Sequence, residues 1–260
     1  NKPILIVAGE PNSVFFEIFI KSIKLKKFKT PLILIASEKL LKLQMKYLNL
    51  NKRIKNIKVD ELNKYKLNNK KINLINIDYK INRPFEKISS KSNKYIENSF
   101  EVAFDIIKNG NSNKLINGPI SKSTFLNKKY LGITEYICSK FSIKENAMLI
   151  FNKKLAVCPL TTHVPIKLVS NKINKRLIFE KVSLINNFYK KNIGKIPKIG
   201  VLGLNPHCES TLKRNEDDAI LRPSIKNLKN LKYKISGPYA ADTLFLKQNR
   251  KKFDVIIGMY

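Results

Sequence analysis

With 260 residues, 43% of them hydrophobic, and a formal net charge of +32, the chain can bury one large core or two modest ones. It has no apolar run near the roughly 20 residues that a membrane helix needs, which argues against a membrane protein. Three cysteines, Cys138, Cys158 and Cys208, far apart and odd in number, argue against a disulfide scaffold and for a reducing, cytoplasmic compartment. The charge is no nucleic-acid signature. The lysines are scattered along the whole chain, arginine is scarce, and the aromatics sit inside apolar runs instead of between lysines. It favours anionic small substrates such as phosphates.

In chain order, residues 2–8 predict a first strand, followed by the loop Gly9-Glu-Pro-Asn-Ser13. Residues 14–25 carry apolar side chains at helical spacing. Residues 31–36 predict a second strand, and Ser37 caps a helix reaching to about residue 48. This alternation argues for parallel strands with crossover helices. Residues 71–77 alternate weakly and predict an edge strand, and Asn82-Arg-Pro84 predicts a turn. Residues 95–108 predict a helix ended by Asn109-Gly110. The strand at 114–116 opens into Asn117-Gly-Pro-Ile-Ser-Lys122. Short helices follow from 123 and from about 130. The domain boundary is expected near 127–131, giving domains at 1–130 and 131–260.

Residues 148–151 and 155–160 predict a β-hairpin. A long amphipathic helix covers 175–189, and a strand covers 198–204. The stretch 216–231 is largely helical, with Pro223 starting or breaking it. A last strand at 255–259 ends the chain. That ending, and Asn1 in place of Met, lead us to expect a fragment cut at both ends.

The chain has two histidines. His207 ends Gly200-Val-Leu-Gly-Leu-Asn-Pro-His207, and His163 follows Leu155-Ala-Val-Cys-Pro-Leu160. Each predicts an imidazole in the loop at a strand's carboxyl end, where ligands bind in open α/β sheets. Matching positions suggest one shared site for a divalent metal. Two unrelated histidines are the competing reading, since a pair falls short of the ligands a metal needs. Cys208 is a soft ligand or a small residue in a tight loop. No G-x-G-x-x-G, Walker A or G-x-S-x-G motif is present.

Gly9-Glu-Pro11, Asn117-Gly-Pro119 with Lys122, Gly132 with Thr134-Glu-Tyr136, Thr161-Thr-His-Val-Pro165, Gly203-Leu-Asn-Pro-His207, Gly237-Pro238, Ala241-Asp-Thr-Leu-Phe245 and Met259-Tyr260 run the length of the chain. Together they resemble the 4-hydroxythreonine-4-phosphate dehydrogenase family of pyridoxal phosphate biosynthesis. The resemblance implies an α/β fold of two α/β/α domains with a cleft between them, like isocitrate and isopropylmalate dehydrogenases. It implies NAD (or NADP) as oxidant and a divalent metal (Zn, Mg or Co). It also implies a homodimer with the metal site shared between subunits.

The implied reaction oxidises 4-phosphooxy-L-threonine and decarboxylates it to 3-amino-2-oxopropyl phosphate. His163 and His207 match two of three metal histidines, and the third is expected directly after Tyr260, so that this chain alone has little activity. Lys122 and Thr134 are implied to contact the anionic substrate, although Lys122 also reads as a solvated lysine at a helix start. Asp242 orients a metal ligand or the substrate amine, or else caps the helix that follows.

Two departures stand out. Ile133 takes the place of a substrate-binding His, which keeps open a paralogue acting on threonate or erythronate 4-phosphate. The first loop, Asn12-Ser-Val-Phe-Phe16, is bulkier than the family's.

Overall fold

The computed structural model describes residues 2–127, 129–209 and 215–260. The chain forms two compact units, Asn1–Lys140 and Phe141–Tyr260, each built on its own parallel sheet.

The first unit runs β1 (Ile4–Val7), α1 (Phe15–Leu25), β2 (Leu32–Ala36), α2 (Glu38–Tyr47), β3 (Ile54–Asn56), β4 (Ile72–Asn76), α3 (Asn93–Lys108), β5 (Leu115–Asn117) and α4 (Ile133–Lys140). The sheet order is β3-β4-β2-β1-β5, all parallel. Every residue of β2 is buried, as an unbroken apolar run requires when helices cover both faces. Ile6, Ala8, Leu34 and Ala36 share a core cluster with Phe16, Leu40 and other residues of α1 and α2. Alternation along the strands turns Leu5, Val7, Ile33 and Ile35 to the opposite face, and α3 packs against these two strands.

The Ser37 hydroxyl caps α2, accepting from Leu40 N at 3.3 Å. The bulky first loop places Phe16 in the core, 2% exposed, and leaves Val14 outside. α4 belongs to this unit through Tyr136, whose ring meets Phe100 edge-on at 5.5 Å and Phe125 at 5.3 Å.

The second unit runs β6 (Ala156–Pro159), α5 (Val169–Lys172), α6 (Lys175–Asn192), β7 (Ile199–Leu202), α7 (Arg222–Asn230), β8 (Ile235–Tyr239), α8 (Ala241–Leu244), α9 (Lys247–Arg250) and β9 (Val255–Gly258). Its order is β6-β9-β7-β8, again all parallel. Ile178, Val182 and Ile185 of α6 and Ile225 and Leu228 of α7 close one face against β6, β7 and β9. Leu244 and Phe253 meet Leu202 and Ile256 on the other. Asn174 caps α6, its Oδ1 accepting from Leu177 N at 2.9 Å.

Two expectations need correction. The strand around residues 71–77 is not an edge: β4 lies between β2 and β3, because the short Ile54–Asn56 strand, too polar to stand out by pattern, pairs on its far side. The hairpin of 148–151 with 155–160 reduces to one antiparallel bridge, Ile150 to Val157, because β6 makes its ladder with β9 instead. Of the two roles open to Pro223, the structure shows the starting one: after a π-turn, Asp217–Leu221, Pro223 sits in the first turn of α7, where its missing N–H costs nothing.

Candidate active site

All four strands of the second sheet are parallel, so their carboxyl ends lie on one edge. β6 leads to His163, β7 to His207, β8 to Asp242 and β9 to Met259-Tyr260. β9 lies between β6 and β7, so the two histidine loops flank its end. The β6 loop is stitched there: Leu160 N donates to Gly258 O at 2.7 Å and the buried Thr161 hydroxyl donates to Met259 O at 2.8 Å.

Both histidines are exposed, and both hold left-handed backbone conformations, His163 at φ 57 and His207 at φ 56. Such conformations in non-glycine residues are strained and concentrate at functional sites. Among the described residues, no group of three or more His, Cys, Asp and Glu side chains is arranged to hold a metal ion. The described residues contribute two imidazole nitrogen donors on one sheet edge, a donor set that fits a divalent ion only together with further ligands.

Of the two readings of Cys208, its surroundings favour the small residue in a tight loop. It is 3% exposed, and burial, reinforced by the Asp217 charge, pushes its thiol up. Its sulfur packs against Gly203, where an added Cβ would sit 2.6 Å from Sγ. Asp242 lies exposed in the first turn of α8 and is not the helix cap. That place falls to Ala240, the one residue between the end of β8 at Tyr239 and the start of α8 at Ala241, and Asp242 lies inside the helix. β8, which leads to Asp242, contacts the Pro206–Cys208 turn, so the β8 and β7 loops adjoin.

The buried Asp217 was not legible in the sequence. It sits between Glu216 and Asp218, and nothing local separates the three acids. Asp217 is 0% exposed, whereas the Asp218 side chain is 55% exposed and pairs with Arg222 at 2.8 Å. The acidic run itself was the available signal.

In the first unit, the loops after the adjacent strands β1 and β5 interlock. Glu10 N donates to Pro119 O at 2.7 Å and Gly118 N donates to Val7 O at 2.8 Å. Glu10 is 2% exposed and accepts from the Ser92 hydroxyl at 2.9 Å and from Asn12 N at 3.2 Å. Beyond β5, the exposed Lys122 opens a π-turn, Lys122–Leu126, capped by Ser121. Ile133 and Thr134, both half-buried, form the first turn of α4. The structure thus brings Lys122, Ile133 and Thr134 onto one segment of the first unit, and His163, His207 and Asp242 onto one sheet edge of the second.

Residues 27–260 match the model of the pyridoxal phosphate biosynthetic protein PdxA. The chain belongs to the PdxA family. A 4-hydroxythreonine-4-phosphate dehydrogenase from Sulfurihydrogenibium sp. is 33% identical over 99% of this chain and 79% of its own length. A Clostridium botulinum relative, provisionally named D-threonate 4-phosphate dehydrogenase, is 28% identical over 100% of this chain and 80% of its own. The crystal structure of the Klebsiella pneumoniae 4-hydroxythreonine-4-phosphate dehydrogenase superposes with a TM-score of 0.85 at 22% identity, covering 100% of this chain and 82% of that one. At that identity the superposition shows the shared PdxA fold. No helix among the described residues is long and apolar enough to cross a membrane.

Proposed function

We propose that this PdxA-family chain is a 4-hydroxythreonine-4-phosphate dehydrogenase, oxidising 4-phosphooxy-L-threonine and releasing CO2 to leave 3-amino-2-oxopropyl phosphate for pyridoxal phosphate synthesis. The observation that carries this reading is the pair His163 and His207, both in left-handed backbone, at the ends of the two strands that flank β9. On this reading His163 and His207 hold a divalent ion (Zn, Mg or Co). A bound nicotinamide cofactor, NAD or NADP, supplies the hydride acceptor, and the ion supplies a Lewis acid beside the hydroxyl being oxidised.

Lys122 and Thr134 bind the substrate phosphate. A lysine ammonium, a threonine hydroxyl and the open N–H groups of the first turn of α4 are the donors that an anion takes at a helix start. Asp242 accepts from the substrate amine or from a metal-ligating imidazole. The active form is a cytoplasmic homodimer, with the metal site shared between its subunits.

Ile133 and the Clostridium botulinum relative favour one second reading, a dehydrogenase of threonate or erythronate 4-phosphate. An apolar side chain at that position offers the phosphorylated substrate one polar contact fewer. Steady-state oxidation of 4-phosphooxy-L-threonine and of D-threonate 4-phosphate by the full-length enzyme, with NAD and Co2+, Mg2+ or Zn2+, separates the two. The proposal expects kcat/KM at least tenfold higher for the amino acid. A preference for threonate 4-phosphate would overturn it.

A further inference from the structure

We infer that Asp217 is a positioning residue that sets the His207 loop in its ligand-presenting shape; the link to metal binding rests on the reading above. The carboxylate is wholly buried. Its Oδ1 accepts from Leu204 N at 2.9 Å, and its Oδ2 accepts from Asn205 N at 3.0 Å and from Asn205 Nδ2 at 2.8 Å.

Two consecutive backbone N–H groups and one side-chain amide thus converge on a single carboxyl group. The fit is close: a Cβ on Gly203 would lie 2.9 Å from Asp217 Oδ1. From the clamped Asn205 the chain turns back. Cys208 N donates to Asn205 O at 3.0 Å, Glu209 N donates to Pro206 O at 3.2 Å, and His207 and Cys208 are left at φ 56 and φ 60.

Two successive left-handed residues persist only where the surroundings over-determine them. In this loop the over-determination comes from Asp217 on one side and the buried Cys208 sulfur on the other. Asp217 acts through the backbone of residues 204 and 205. Its partners are those two N–H groups and the Asn205 side-chain amide, not the imidazole, so it positions and does not catalyse.

Asp217→Asn tests this. It keeps the shape but turns an NH2 toward one of the N–H donors, replacing a bond by a donor–donor contact. With two histidines in the chain, the imidazole Hε1 proton signals of His163 and His207 can each be assigned by deleting the other. We expect Asp217→Asn to shift or broaden the His207 signal alone and to raise the Kd for Co2+, titrated as the bare ion, by tenfold or more. Asp217→Glu should recover part of both.

If both imidazole signals and the Co2+ Kd stay as in the unaltered protein while only the melting temperature falls, Asp217 is merely structural and the inference is wrong. Should Asp217→Asn not fold, Asp217→Glu decides. A displaced His207 signal supports the clamp, and an unchanged one overturns it. A chain whose Co2+ affinity is indifferent to both His163→Ala and His207→Ala sinks the metal reading, and the histidine signals still judge the clamp by themselves.

Discussion

The Thr161 hydroxyl donates to the Met259 carbonyl oxygen at 2.8 Å, and Thr161 N reaches the same oxygen at 3.2 Å. This double contact ties the loop that carries His163 to the end of β9, the strand on whose other side lies β7 with the His207 loop. Thr161→Val keeps the shape and the backbone bond but loses the hydroxyl donor. A buried neutral hydrogen bond contributes about 1 kcal/mol net, so the melting temperature should fall by about 2–4 °C. No change in thermal unfolding would show that the hydroxyl bond does not hold this loop.

In the full-length protein, His163→Ala and His207→Ala should each abolish metal-dependent turnover while changing stability by about 0.5 kcal/mol or less, because both side chains are exposed and leave no core cavity. His207→Gly should be equally inactive. It also relieves roughly 1 kcal/mol of left-handed strain, partly offset by the entropy glycine adds to the unfolded chain. Turnover and melting temperature measured together decide. Retained metal-dependent activity in either alanine variant contradicts the shared site.

Two glycines should differ sharply in their tolerance of alanine. A Cβ on Gly118 would meet the Ala8 carbonyl oxygen at 2.0 Å, a backbone atom that cannot give way without parting β1 from β5. Gly118→Ala should therefore cost about 3 kcal/mol or more. At Gly110 nothing lies within 4 Å, and only the φ of +73 counts, so Gly110→Ala should cost roughly 1–2 kcal/mol. Denaturant unfolding of both variants checks the order, and equal costs would refute the close approach of the two loops.

Asp254 gives the second unit a pH-dependent contribution. Burial works against its ionisation. The Lys195 ammonium at 2.7 Å and the Lys198 N–H at 2.9 Å outweigh burial and hold the carboxyl below its ordinary value. A folded-state pKa below the unfolded one, about 3.9 for Asp, gives stability that is present above that pH and is lost as pH falls through the folded value. Asp254→Asn should thus be less stable than the parent at pH 6, with the gap closing as pH falls through and below the ordinary carboxylate range. A gap that persists unchanged in acid would mean the carboxylate charge is not what holds Lys195 and Lys198.

What the sequence by itself determined was local. Unbroken apolar runs marked β1, β2, β7 and β9, because a strand covered on both faces needs apolar residues at every position. Ser37 before Glu38 marked the start of α2 through a cap that needs only neighbouring residues. The loops bearing His163 and His207 were legible for the same reason, each lying directly after such a run, and the chain of short motifs was enough to indicate the family.

What only the tertiary structure decided was anything settled by partners far along the chain. β4 is interior because residues 54–56 pair beside it. Ala240, and not Asp242, holds the capping place before α8, which removes one of the two readings open to Asp242. Of three adjacent acids, Asp217 is the one buried beneath the His207 loop. Periodicity and capping act over a few residues, whereas strand order and the burial of a single carboxylate depend on which distant segments meet.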